Sequence, residues 1–227
     1  MLDYLLNIII EEYIRKNIKE RKIGVYYVSE LSMCLRKLYY FYKVGEKIDL
    51  STFLLMESGR VMHEWLAEVL KSVNEIDVNG TKYRIEVSSE QKLSYQIGNV
   101  LIEGRYDNII TVKISDTKEE VMLIEVKTTA DLDKIKEPKP EHIMQLNFYI
   151  GLVGLKEGYL LYIDRKNYRY KIFKIKYKKE LFDQLVKRAI ALHYSLVKYI
   201  VPDREVGFRC KYCPFKNICL GGMNDRS

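Results

Sequence analysis

The chain is poor in the residues that would place it outside ordinary folded proteins. Its 227 residues include only four Pro and 12 Gly, too few for a collagen-like, low-complexity or linker-rich protein. The longest apolar runs, such as 5–10 with Asn7 inside, fall far short of the roughly 18 to 20 residues that a spanning helix needs. The first 14 residues carry Asp3, Glu11 and Glu12 and have no basic leader segment, so no secretory signal and no membrane association are expected, and a cytoplasmic location is. Thirty-eight Lys and Arg against 31 Asp and Glu give a formal charge of +7, a mild excess that favours polyanionic partners without naming one.

What is present reads as one domain with a helical start (1–75), a strand-rich core (80–180) and a helical end with a cysteine-bearing tail (181–222). Leu2, Leu5, Leu6, Ile9, Ile10, Tyr13 and Ile14 recur at three- and four-residue spacing and predict a helix over 2–21, ended by Gly24. Ser29 is expected to cap a helix over 30–42, and Ser51 or Thr52 one reaching about Val73, with Gly59 inside it marking close packing or a break. From Tyr83 to Lys127 short Val-, Ile- and Tyr-rich runs, interrupted at Gly98-Asn99, Asn108 and Ser115-Asp116-Thr117, predict antiparallel hairpins. Pro140 opens a helix over 141–153; strands at 158–164 and 168–177 and a helix over 180–199 follow.

In the run Val121-Met-Leu-Ile-Glu-Val-Lys127 the strand period of two sends Glu125 and Lys127 to one face. Asp107, expected to end the strand 101–107, can come beside Glu125 across a hairpin. Two carboxylates bind Mg²⁺ or Mn²⁺ through hard oxygens, and the neighbouring Lys127 can hold an attacking water and offset charge on a phosphate. A surface ion pair is the plainer reading of Glu-Val-Lys, but apolar Met122, Leu123, Ile124 and Val126 flank it, and a carboxylate among them needs a partner. His63 is a possible third ligand. Gln145 and Tyr149, four apart on a helix, share one face and can position Lys127 or a phosphate, although Tyr149 also suits the core. Glu86 and Glu90 are further acidic residues on the preceding strand, and Tyr39, Tyr40, Phe41 and Tyr42 can either stack on unpaired bases or pack inward.

Cys210-x2-Cys213-x5-Cys219, with Cys34 far upstream, supplies four thiolates for one metal centre. A zinc ribbon normally uses two Cys-x2-Cys knuckles and this chain has one, which favours an iron–sulfur group; disulfides and inert buried thiols remain open.

Cys34 with Arg36, Gly59-x3-His63, Gly104-Arg-Tyr-Asp107, Glu125-Val-Lys127, Gln145-x3-Tyr149 and the three-cysteine tail occur in that order. The ordered set resembles the CRISPR-associated RecB-like exonucleases, the fourth Cas family, within the PD-(D/E)XK nuclease superfamily. The resemblance implies an α/β fold, a restriction-endonuclease-like mixed central sheet flanked by helices, with an iron–sulfur region joining an N-terminal helix to the C-terminal tail. It implies a 4Fe-4S cluster on Cys34, Cys210, Cys213 and Cys219. It also implies Mg²⁺ or Mn²⁺ on His63, Asp107, Glu125 and the Val126 carbonyl, with Lys127 serving the hydrolytic water and Gln145 and Tyr149 completing the pocket. The implied activity is degradation of single-stranded DNA, often from the 5′ end, in prespacer processing beside the CRISPR integrase. Tyr106 stands where the superfamily motif has Pro. A RecB-like nuclease of a virus or repair pathway shares the same chemistry, and a non-catalytic iron–sulfur DNA-binding module is the reading of a different class.

Overall fold

The computed structural model describes residues 2–17, 21–45, 49–115 and 117–221. Its frame is a seven-stranded sheet. β2 (Glu75–Val78), β3 (Thr81–Ile97), β4 (Val100–Ser115), β5 (Lys118–Thr129), β6 (Glu157–Asp164) and β7 (Tyr170–Lys176) lie side by side in that order, and β1 (Val25–Tyr27) pairs with β4. Most neighbours are antiparallel, but β1 with β4 and β5 with β6 are parallel. The β5–β6 pair needs a crossover, and α5 (Pro140–Val153) supplies it. Against the sheet pack α2 (Val28–Leu31), α3 (Leu35–Val44), α4 (Leu50–Lys71), α5 and α6 (Lys179–Lys198); α1 (Leu2–Asn17) rests on α4 through Tyr13 and Phe53.

The core forms where β4, β5 and β6 meet α5 and α6, and it contains Ile102, Leu123, Leu146, Phe148, Leu160 and Leu185, all fully buried. Phe148 and Phe182 stack at 4.8 Å. Gly104 matters because a Cβ there would stand 2.5 Å from the Tyr149 ring and 2.9 Å from Val28. Only a residue without a side chain lets Tyr149 lie against β4.

Several expectations are corrected. The helical start contains a strand, β1. Ser29 lies inside α2 rather than capping a helix, and the expected helix over 30–42 is broken at Ser32-Met33-Cys34. The cause is Arg188 of α6, which donates to the carbonyls of Leu31 (2.6 Å) and Met33 and so takes acceptors that a continuous helix would use. Cys34 thereby becomes the N-terminal flank of α3. The long helix is capped by Asp49, whose carboxylate accepts the Thr52 amide at 2.9 Å, rather than by Ser51 or Thr52. Gly59 lies within an unbroken α4, and a Cβ there would meet Thr128 of β5 at an ordinary 3.5 Å. β4 runs straight through Asp107 and Asn108 to Ser115. Asn108 tolerates the interior because Ser89 donates to its side-chain carbonyl at 2.8 Å. The sheet also begins earlier than Tyr83: Asn79 and Gly80, with φ of 53° and 80°, close a β2–β3 hairpin of the type that Asn-Gly favours. The later elements follow the expected boundaries within two residues. Residues 18–20, Asp116 and Gly222, which the expected elements include, lie outside the described residues.

Candidate active site

Asn108 of β4 stands opposite Ile124 of β5, so one step further along the two strands brings Asp107 to Glu125. Asp107 bridges the gap itself, its Oδ2 accepting the Val126 amide at 2.6 Å. Period two then places Lys127 with Glu125, and their side chains meet at 2.7 Å. From α5, Gln145 donates to the same Glu125 Oε1 at 2.7 Å and accepts from Lys127 Nζ at 2.9 Å. Glu125 Oε1 is thus fully used, while its Oε2 is buried with no hydrogen-bond partner, on a residue that is 2% exposed.

α4 lowers His63 onto this group, its Nδ1 3.3 Å from Asp107 Oδ1. Glu90 of β3 joins from the other side. Ser89 faces Asn108 and Gln91 faces Tyr106, which sets Glu90 against Asp107. One ligand atom each of His63, Glu90 and Asp107 lie within 4.8 Å of one another. Three carboxylates therefore come abreast on β3, β4 and β5, and each has a basic partner: Arg105 at Glu90 (2.6 Å), His63 at Asp107 and Lys127 at Glu125.

The electrostatics follow from crowding. Burial first, then the charge of Asp107, pushes Glu125 up to about 7. The same two causes raise Glu90. Burial acts to lower Lys127 and His63, but the surrounding carboxylates outweigh it and hold both above their ordinary values. The crowding of carboxylates that raises Glu125 and Glu90 is what a divalent ion would relieve.

Tyr149 is in the core, 2% exposed, and its hydroxyl accepts the Arg105 amide at 3.3 Å. Burial raises it far above the usual phenol range. Val126 buries its side chain in the interior. Glu86 pairs with Lys113. Tyr39 and Phe41 are buried, Tyr40 packs on Phe215, and the Tyr42 hydroxyl donates to the Val25 carbonyl. These aromatics mainly pack inward. Phe41 and Tyr42 nevertheless help to line the cleft above the carboxylates, with the Arg21 guanidinium over both rings. That cleft has a volume of about 1170 Å³ and also presents Lys92 and Arg105.

Residues 57–220, which contain all of these acidic residues and Lys127, match the PD-(D/E)XK nuclease superfamily. The chain belongs to that superfamily. Two solved structures share its fold. SSO0001 is 24% identical, with a TM-score of 0.62 over 97% of this chain and 96% of that one. The alkaline exonuclease LHK-Exo from Laribacter hongkongensis is 18% identical, with a TM-score of 0.51 over 78% of this chain and 90% of that one. No sequence match was found among curated proteins.

In this PD-(D/E)XK nuclease the expected Pro is Tyr106, whose buried ring and hydroxyl, 2.8 Å from Ser88 Oγ, secure β4 to β3 in its place. The four cysteines converge from opposite ends of the chain on a second cavity of about 560 Å³. Cys34 arrives from the break that Arg188 makes; Cys210, Cys213 and Cys219 arrive from the turn Phe208–Tyr212 and α7 (Lys216–Leu220). Arg188 also pairs with Glu205 at 3.1 Å, and Glu205 accepts the Leu35 amide at 2.9 Å, so the two chain ends are fastened together beside the thiols. All four cysteines are free. Among the described residues no three of their sulfurs lie within 4.8 Å of one another.

Proposed function

We propose that this nuclease is a divalent-metal-dependent DNA exonuclease that degrades single-stranded DNA from its 5′ end and trims prespacers beside a CRISPR integrase. The carrying observation is the partnerless, buried Oε2 of Glu125 beside Asp107 and His63. A wholly buried carboxylate oxygen with no partner is costly in a finished core and is accounted for where a cation is to be bound. The donor set of one imidazole and carboxylates suits Mn²⁺ or Mg²⁺.

His63, Asp107, Glu125 and the Val126 carbonyl would hold the ion. Once bound, the ion would polarise the scissile phosphate and acidify water. Lys127 has three N–H groups, two of them directed to Glu125 and Gln145. The third is left to orient the attacking water or to neutralise a phosphate oxygen. Gln145 positions Lys127, and Tyr149 positions the β4 backbone. The cleft suits a flexible polyanion, with Arg21, Lys92 and Arg105 for phosphates and the edges of Phe41 and Tyr42 for bases. Action from an end is supported by the likeness of fold to LHK-Exo, which is described as an alkaline exonuclease.

The CRISPR role rests on the ordered motif set and on the four cysteines, which in this reading hold a 4Fe-4S cluster. One Cys-x2-Cys knuckle in place of the two of a zinc ribbon supports this over a zinc site. Arg36 Nη1, 4.0 Å from Cys219 Sγ, adds a cation beside the thiolates. Its role is structural, joining the chain ends, so Cys213→Ala should lower both the melting temperature and the DNA affinity.

Digestion of end-labelled single-stranded DNA with Mn²⁺ or Mg²⁺ tests the proposal against Lys127→Ala and Glu125→Ala. Cleavage by the wild type, lost in both variants, supports it, and the labelled end gives the polarity. Binding without cleavage by the intact wild type would make the chain a DNA-binding module.

A further inference from the structure

Glu90 has a backbone conformation that strands do not normally contain. It lies in mid-β3 with φ of 58°, in the left-handed region, where a residue with a Cβ is strained. The strain falls where Glu90 stands against Asp107, and its carboxylate comes within 4.8 Å of the ligand atoms of both Asp107 and His63. Like charges directly opposite across a sheet are destabilising. Yet this is the third carboxylate in the row, across Asp107 from Glu125, whose Oε2 is buried without a partner. What holds it in the absence of a metal is Arg105, 2.6 Å away, in a pair whose side chains are 57% and 24% exposed. Ion pairs this open to water contribute little and exchange readily, and a guanidinium fork fits phosphate oxygens at least as well as a carboxylate.

We propose that Glu90 is a further protein ligand of the divalent-metal centre and that Arg105 competes for its carboxylate until a DNA phosphate takes the guanidinium. This rests on the metal-dependent nuclease reading above and adds coupling to it. DNA binding frees a ligand, and the freed ligand tightens the metal, so metal and DNA bind cooperatively in both directions.

The test is Mn²⁺ binding to the full chain, followed by calorimetry and by the signal of free Mn²⁺ in electron paramagnetic resonance. It is run with and without a nuclease-resistant phosphorothioate oligonucleotide. Wild type should bind Mn²⁺ more tightly when the oligonucleotide is present. Glu90→Gln should abolish that gain and weaken Mn²⁺ about tenfold, while Glu90→Asp, which keeps the charge, should retain part of it. Arg105→Gln should bind Mn²⁺ more tightly without the oligonucleotide and bind the oligonucleotide more weakly. If wild type takes up Mn²⁺ and cuts DNA but Glu90→Gln titrates like wild type under both conditions, the Glu90 assignment is wrong and the nuclease reading stands. If wild type takes up no Mn²⁺, both fall.

Discussion

Replacing His142 with glutamine should flatten the acid limb of the stability profile. His142 lies in the first turn of α5, one turn before Gln145, with Nδ1 2.8 Å from the Tyr162 hydroxyl. That hydroxyl accepts the Lys139 amide at 3.1 Å, so its own proton is free to go to Nδ1 and the ring is held neutral. Burial, and then the charges of Lys127, Lys139 and Arg209, push the imidazole down to about 3 from the ordinary 6.5. Between those values the unfolded chain binds a proton that the folded chain refuses, so stability rises with pH across the window and is lost as pH falls from 6.5 towards 3. At pH 5 this single group removes about 2 kcal/mol relative to pH 8. Glutamine can accept from Tyr162 but does not titrate. Urea unfolding of both proteins in chelator at pH 8, 6.5 and 5 should therefore show the wild type losing about 2 kcal/mol more than His142→Gln. The carboxylates common to both cancel in that difference. Parallel profiles across the window would refute the argument.

Gln145→Leu leaves Glu125 and Lys127 each short of a buried partner; it should cost about 1–3 kcal/mol in chelator and lower kcat, read by melting and by single-turnover cleavage. Gly104→Ala drives a Cβ into Tyr149 and should destabilise by about 1–3 kcal/mol. Adding Tyr149→Val should recover part of that loss in a double-mutant cycle. Mn²⁺ at a hundred times its dissociation constant should stabilise the wild type by about 2.7 kcal/mol, and Asp107→Asn should lose that gain in a thermal melt.

The segment from Pro140 to Lys198 was legible because its elements are specified locally. Proline at a helix start, the 3.6 period of α6 and the alternation in β7 involve neighbours only. The pairing of Glu125 with Lys127 was legible for the same reason, since the strand period alone puts them on one face. Asn108 was misjudged as a break because its interior place depends on Ser89, nineteen residues away. Glu90 stood out no more than Glu86 in sequence, as both are acidic residues on one strand; the left-handed turn of the backbone and the β3–β4 register separate them.

Residue types and their spacing were enough to point to the PD-(D/E)XK superfamily: a carboxylate and an amine two apart, with a second carboxylate one strand away. Where those groups meet was settled by long-range contacts. Arg188 reaches back about 155 residues to capture the carbonyls of Leu31 and Met33, breaks a helix that local propensity would continue, and so brings Cys34 to the cysteines of the tail. No local pattern encodes that break, because the donor that makes it belongs to another helix and meets those carbonyls only after the chain has packed.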